Sequence, residues 1–228
     1  MAASSSRSRF EAACASVHPS SPLLTLFRRA ADHESTLTEI DLKDLQAEFV
    51  RWSAERQSAA LFLLAGSPTL QKLNLSGLGL TDAVAPALAA ILCQPSALQV
   101  LSAERNDLRE SGLLLLIEAL AGNTTLRELR LTGQKQPIPT TVEDSLASMM
   151  ESGGASGLIK LGIALRGDKA RRACDQAIFK HVDRQRLERQ GSLQGGSGFN
   201  GGASSSSNNG MARSASAGPL RPPPPPRQ

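Results

Sequence analysis

The sequence predicts an α/β solenoid of about five strand-helix units, closed by an N-terminal helix and a long C-terminal helix and flanked by disordered tails. Three observations carry this. The frame Leu-x-x-Leu-x-Leu occurs at Leu70, Leu73, Leu75 and at Leu126, Leu129, Leu131, with a degraded copy at Leu98, Leu101, Ala103. The steps from Leu70 to Leu98 and from Leu98 to Leu126 are each 28 residues, and looser copies at Leu37, Ile40, Leu42 and at Leu158, Leu161, Ile163 stand 33 and 32 residues away. Between frames the apolar residues change to helical spacing and then stop at Gly or Pro.

A period in the twenties with this frame is the leucine-rich repeat pattern, in which a short strand and a helix alternate and stacking buries a continuous core. Composition fits it. Of 228 residues 40% are hydrophobic but only 3% are aromatic and none is Tyr, so the core is built from Leu, Ile and Ala. The net charge of +4 is small for the length; it points to an acidic partner only where the surplus is concentrated. Cys14, Cys93 and Cys174 are an odd number, far apart and without nearby His. They indicate neither a disulfide framework nor a zinc site, and a reducing compartment. The apolar run Leu113 to Leu120 is too short to span a bilayer.

In chain order, residues 1–21 lack periodicity and end at His18-Pro19-Ser20-Ser21-Pro22, so a disordered N-terminus is expected there and a repeat domain over 22–190. The start, MAASSSRSRF, has the Ser and Arg content of an organelle transit peptide, but Glu11 follows at once. Leu23, Leu24, Leu26 and Phe27 predict a capping helix. One long helix is expected between Leu42 and Gly66-Ser67-Pro68. Further helices are expected at Asp82 to Cys93, Ser111 to Ala121 and Val142 to Glu151, with N-caps at Thr81 or Asp82, at Ser111, and at Thr140 or Thr141. After Ile163 the repeat does not restart; Asp168 to Gln190 reads as one helix. Its Ala170, Cys174, Ala177, Ile178, His181 and Val182 form an apolar stripe. From Arg166 to Arg189 there are eight Lys or Arg against four Asp or Glu, so much of the basic surplus sits here. Residues 191–228 read as a disordered Gly/Ser-rich linker with a proline-rich tail. Its Pro222, Pro225 and Arg227 fit P-x-x-P-x-Arg, a ligand pattern for an SH3 domain, and Pro222 to Pro226 suits profilin as well.

Strand alternation points Leu73 and Leu75 into the core and leaves Lys72 and Asn74 on the other face, with Val100 and Ser102, then Glu128 and Arg130, as their equivalents. No nucleophile-base pair, phosphate loop or metal spacing occurs, so neither an enzyme nor a cofactor is expected. Nucleic acid and membrane are not expected partners either.

The order of features resembles the leucine-rich repeat domain of the tropomodulin and leiomodin family, proteins of actin filament pointed ends. Leu24 to Leu42, LTLFRRAADHESTLTEIDL, resembles the family's cap helix and first strand. Asn106 to Leu120, NDLRESGLLLLIEAL, resembles its central helix, and Asn123 to Gln136, NTTLRELRLTGQKQ, its strand and following loop. Gln176-Ala177-Ile178-Phe179, followed by Asp183, Arg186 and Arg189, is similar to its last helix, although Gly167-Asp168-Lys169 stands where the family has Gly-Pro-Arg. The resemblance covers about residues 22–190. The family's N-terminal half has no counterpart in residues 1–21, so tropomyosin is not an expected partner.

The resemblance implies an actin-binding domain of the cytoplasm and cytoskeleton that caps pointed ends or regulates nucleation. Charge and position, rather than any transferred family residue, select Arg105, Arg127, Arg130, Lys135, Lys160, Lys169, Arg171, Arg172, Lys180 and Arg184 as candidate actin contacts. The alternative is a generic ribonuclease-inhibitor-type repeat scaffold for another protein, since fold does not fix function. The Gln134-Lys135-Gln136 loop and the long last helix speak for the first reading.

Overall fold

Each copy of the leucine frame lays down a three-residue strand, because only the middle of the frame alternates. A computed structural model describes residues 2–194, with side chains from 5 to 190. The strands are β1 (Glu39–Asp41), β2 (Lys72–Asn74), β3 (Val100–Ser102), β4 (Glu128–Arg130) and β5 (Lys160–Gly162). They form one parallel sheet in chain order, with Ile40, Leu73, Leu101, Leu129 and Leu161 in register. One residue per unit therefore falls in line, and Leu73, Leu101 and Leu129 are buried together. Each contributes about 2 kcal/mol by leaving water.

Helices return each strand to the next. They are α2 (Pro22–Ala31) before β1, then α3 (Gln46–Phe49) and α4 (Ala54–Phe62), α5 (Ala85–Cys93), α6 (Glu110–Ala121), α7 (Thr140–Glu151) and α8 (Asp168–Gln194). Neighbours from α4 to α8 pack in sequence order. The expected single helix after Leu42 is instead two. The chain breaks at Trp52, and the Ser53 hydroxyl accepts from the Arg56 amide, which starts a new helix. The last helix also runs past the expected boundary at Gly191 to Gln194.

Of the expected N-caps, Thr81 holds the cap position of the second unit, whereas Arg109 stands at that of the third in place of Ser111 and Pro139 at that of the fourth in place of Thr140 or Thr141; none of the three makes a side-chain capping bond. For α6 the cap comes from the preceding unit. Asp82 Oδ1 accepts from the Arg109 amide at 2.7 Å, and its other oxygen accepts from the Ser111 hydroxyl. Burial pushes the Asp82 carboxyl up, but these bonds and the Gly112 amide outweigh it and hold it below its usual range. Gly112 must be glycine, since an added Cβ would lie 2.4 Å from Asp82 Oδ1. In the next unit Thr141 Oγ1 donates to Glu110 at 2.5 Å.

Side-chain amides tie the turns. Asn106, fully buried, donates to the Leu75 carbonyl at 2.9 Å and accepts from the Leu80 amide at 3.1 Å. Gln134, 28 positions on, repeats both bonds one unit later: it donates to the Ala103 carbonyl at 2.9 Å and accepts from the Leu108 amide at 3.1 Å.

The expectation that residues 1–21 are disordered is corrected. Ala2–Ala13 forms α1, which packs on α4. Periodicity missed it because its apolar contribution is concentrated in one residue. Phe10 is fully buried 6.1 Å from the ring of Phe27, which lies 6.2 Å from Phe49 and 6.0 Å from Trp52. Electrostatics supply the rest. Glu11 takes two bonds from Arg28, at 2.7 and 3.1 Å, Arg7 meets Asp32 at 2.5 Å, and Arg56 donates to the Ala13 carbonyl at 2.8 Å. The Arg28 guanidinium holds the Glu11 carboxyl below its ordinary 4.5. A depressed carboxylate stabilises the fold above its unfolded value and loses that contribution as pH falls through the folded one. The protection of the α1 amides, taken relative to their intrinsic exchange rate at each pH, is therefore expected to fall once pH drops below about 4.5, ahead of the strands. Glu11→Gln is expected to show the lowered protection already at pH 7. Equal protection of α1 in that variant would contradict the latch.

Candidate functional site

The strand ladder and α8 carry the candidate cations, and the two surfaces differ in how much charge is left over. Across the concave face one row runs Glu39, Lys72, Val100, Glu128, Lys160 and the next Asp41, Asn74, Ser102, Arg130, Gly162. These rows border a groove of about 800 Å³. Lys72 pairs with Glu39 at 3.2 Å and Asn74 donates to Asp41 at 3.0 Å. Glu128 receives both Arg130, at 2.5 Å, and Lys160, at 2.8 Å. The Arg130 hydrogen bond holds the Glu128 carboxyl below its usual range against the opposing effect of burial, with Lys160 adding to it. Two of the ten candidates thus neutralise an acid of their own sheet.

Three more are engaged. Arg127 donates to the Gly157 carbonyl at 3.2 Å, and Lys135 sits 3.7 Å from Asp107. Arg171 is bound to Asp168 at 3.3 Å and donates to the Leu165 carbonyl at 3.0 Å. The remaining five are Arg105 on the strand loops and Lys169, Arg172, Lys180 and Arg184 on α8. All are exposed and make no ion pair among the described residues. The family-like loop contributes less to a surface than its sequence suggests, because Gln134 is a turn-holding residue.

Helix α8 projects its cations from a firm base. Its 27 residues span about 40 Å. Ala170, Ala173, Cys174, Ala177 and His181 are buried, and α7 is the helix it packs on. The Glu143 carboxylate, on α7 and only 3% exposed, accepts from the amides of Arg166 at 2.6 Å and Gly167 at 2.8 Å, just before α8 starts. Farther along, His181 Nδ1 donates to the Leu158 carbonyl at 2.9 Å and Gln185 reaches the Gly157 carbonyl at 3.3 Å. Sequence reasoning missed Glu143, since an acid inside a helical run gives no sign that it caps a different helix. It placed His181 on the apolar stripe without seeing its carbonyl partner.

With that face fixed, Lys169, Arg172, Lys180 and Arg184 recur at steps of three, eight and four and share one side. Phe179, 65% exposed, and Leu187, 68% exposed, stand beside them. Basic heads around exposed apolar side chains suit an acidic protein surface with a hydrophobic recess. Cys14 and Cys174 are buried thiols that desolvation pushes up to about 11, so they stay protonated and inert at neutral pH. Among the described residues no cluster of three or more His, Cys, Asp or Glu is placed to hold a metal ion, and no helix is long and apolar enough to cross a membrane. Pro222, Pro225 and Arg227, and the linker before them from 195, lie outside the described residues.

The whole repeat arrangement is shared with known proteins. Human tropomodulin-4 is 25% identical over 167 residues, 72% of this chain and 46% of that protein. Rat leiomodin-2 is 23% identical over 172 residues, 75% of this chain and 30% of that protein. The chain thus spans less than half the length of these relatives. Among solved structures, the Caenorhabditis elegans tropomodulin C-terminal domain superposes with a TM-score of 0.67 at 23% identity, covering 75% of this chain and 99% of that one. Leiomodin-1 actin-binding site 2 superposes with a TM-score of 0.70 at 21% identity, covering 77% and 98%. The profile of the TMOD/LMOD leucine-rich domain matches residues 23–184, from the start of α2 to the exposed part of α8, and the chain belongs to that family.

Proposed function

We propose that this chain binds actin and acts at filament pointed ends, as a cap or as a regulator of assembly, in the cytoplasm and at the cytoskeleton. The observation that carries the reading is membership of the tropomodulin and leiomodin domain family across 23–184. The leiomodin-1 domain of the same fold is an actin-binding site. The contacts we assign are the free cations of α8, Lys169, Arg172, Lys180 and Arg184, with Arg105 on the strand loops. Arg127, Arg130, Lys135, Lys160 and Arg171 are secondary candidates, because each already holds a partner within the domain. Pro222, Pro225 and Arg227 are proposed as a separate contact for profilin or an SH3 domain. Affinity for actin would come from a broad surface with electrostatic attraction to an acidic filament, so it weakens with salt. Co-sedimentation with filamentous actin tests the reading: saturable pelleting that falls as salt rises is expected, and pelleting no greater than without filaments would overturn it.

A further inference from the structure

The turn that leaves each central strand repeats with one backbone conformation. Gly77, Arg105 and Gly133 stand 28 residues apart. All three have positive φ, at 74°, 54° and 73°. Equivalent amides bond across units, Gly77 to the Glu104 carbonyl at 2.8 Å and Arg105 to the Thr132 carbonyl at 2.9 Å. Stacking of the turns therefore demands the left-handed region at this position. Glycine reaches it freely, whereas a side chain crowds the following carbonyl, and Asn or Asp are the residues that tolerate it best. Arginine is neither, yet it fills the middle turn. A long side chain held where its neighbours use glycine points to a function that outweighs the local strain.

Internal contacts do not explain it. Arg105 is exposed, and its guanidinium has no hydrogen bond or ion pair among the described residues. Arg130, on the same groove, is taken by Glu128, and the adjoining Glu104 carboxylate is taken by the Thr132 hydroxyl at 2.5 Å. The stem of Arg105 lies over Gly133, where an added Cβ would come within 3.2 Å of Arg105 Cγ. The glycine of the next turn thus leaves room for the arginine of this one. The result is an unpaired guanidinium, directed at its base and free at its head, at the edge of the concave groove.

We propose that Arg105 is a binding residue, and that its guanidinium receives a carboxylate from an acidic segment of the partner protein entering the concave groove, through paired N–H···O bonds. Arginine suits this better than lysine because its planar fork matches a carboxylate with two bonds at once. The identity of the partner rests on the actin reading above.

Arg105→Gly, Arg105→Asn and Arg105→Lys test it in two measurements. In thermal unfolding, Arg105→Gly is expected to melt at the wild-type temperature or up to about 3 °C above it, since relief of strain offsets the added freedom of the unfolded chain. In co-sedimentation with filamentous actin, Arg105→Gly and Arg105→Asn are expected to bind about 10-fold more weakly, and Arg105→Lys to fall between them and wild type. Wild-type binding by Arg105→Gly, or a clear drop in its melting temperature, would overturn the proposal while leaving the actin reading intact. Failure of the wild-type chain to pellet would instead remove the actin reading, and the proposed contact with it.

Discussion

Asn106→Ala is expected to destabilise the domain by about 2–6 kcal/mol, although the residue carries no charge. The amide is fully buried and serves the Leu75 carbonyl and the Leu80 amide, which belong to equally buried residues. Removing it strands a donor and an acceptor where water cannot replace the bonds, at about 1–3 kcal/mol each. In the preceding unit Leu78 occupies the equivalent position as a buried apolar residue, so the site accepts either full packing or full hydrogen bonding, and alanine provides neither. Gln134→Ala removes the matching bonds one unit later from a half-buried residue, where water can take over, and should cost about 1 kcal/mol. Urea unfolding of both variants checks the contrast. A cost for Asn106→Ala within about 0.5 kcal/mol of zero, the range of ordinary surface changes, would refute this account of the turns.

The second large effect is on binding. Reversing Arg172, Lys180 and Arg184 together to Glu is expected to lower affinity for filamentous actin by about 10-fold or more at low salt, and by less as salt rises. The three are exposed and unpaired on one side of α8, so their reversal breaks no internal contact. The melting temperature should therefore stay within about 2 °C of wild type. Arg171 is left alone, because it binds Asp168 and the Leu165 carbonyl at the start of the helix, and changing it would mix anchoring with binding. The double reversal of Arg130 and Lys160 makes the opposite control. Both neutralise Glu128, so three acids would crowd the concave face and stability should fall first. Undiminished pelleting of the α8 triple variant would remove that helix from the actin surface.

The leucine frame was legible because burial in a stacked repeat leaves one residue per unit in line, and 28-residue steps display that directly. What could not be read is whatever one unit does for another. Asp82 and Glu143 serve the starts of helices other than their own, α6 and α8, and local cap rules, which look only at adjacent residues, point to Ser111 for the first and to no residue for the second. Helix α1 was hidden for a related reason. Phe10 anchors a segment otherwise rich in Ser, Ala and Arg, and the ring it meets is Phe27, outside the segment. Charge and position alone could not separate Arg130 and Lys160, spent on Glu128, from Lys180 and Arg184, which are free. The Gln134-Lys135-Gln136 loop marks the family that the chain belongs to, and the bonds of Gln134 show that this residue holds a turn of the domain. The generic scaffold alternative rests on fold not fixing function, and family membership across 23–184 favours the tropomodulin and leiomodin reading instead.

The most direct test of the central claim is elongation from actin filaments blocked at their barbed ends, with and without this chain. Growth under these conditions occurs at the pointed end alone. A concentration-dependent change in the rate is predicted, slower if the domain caps and faster if it promotes assembly, and it should be lost in the Arg172, Lys180 and Arg184 reversal. Pointed-end growth unaffected at concentrations that saturate filament binding would contradict the claim.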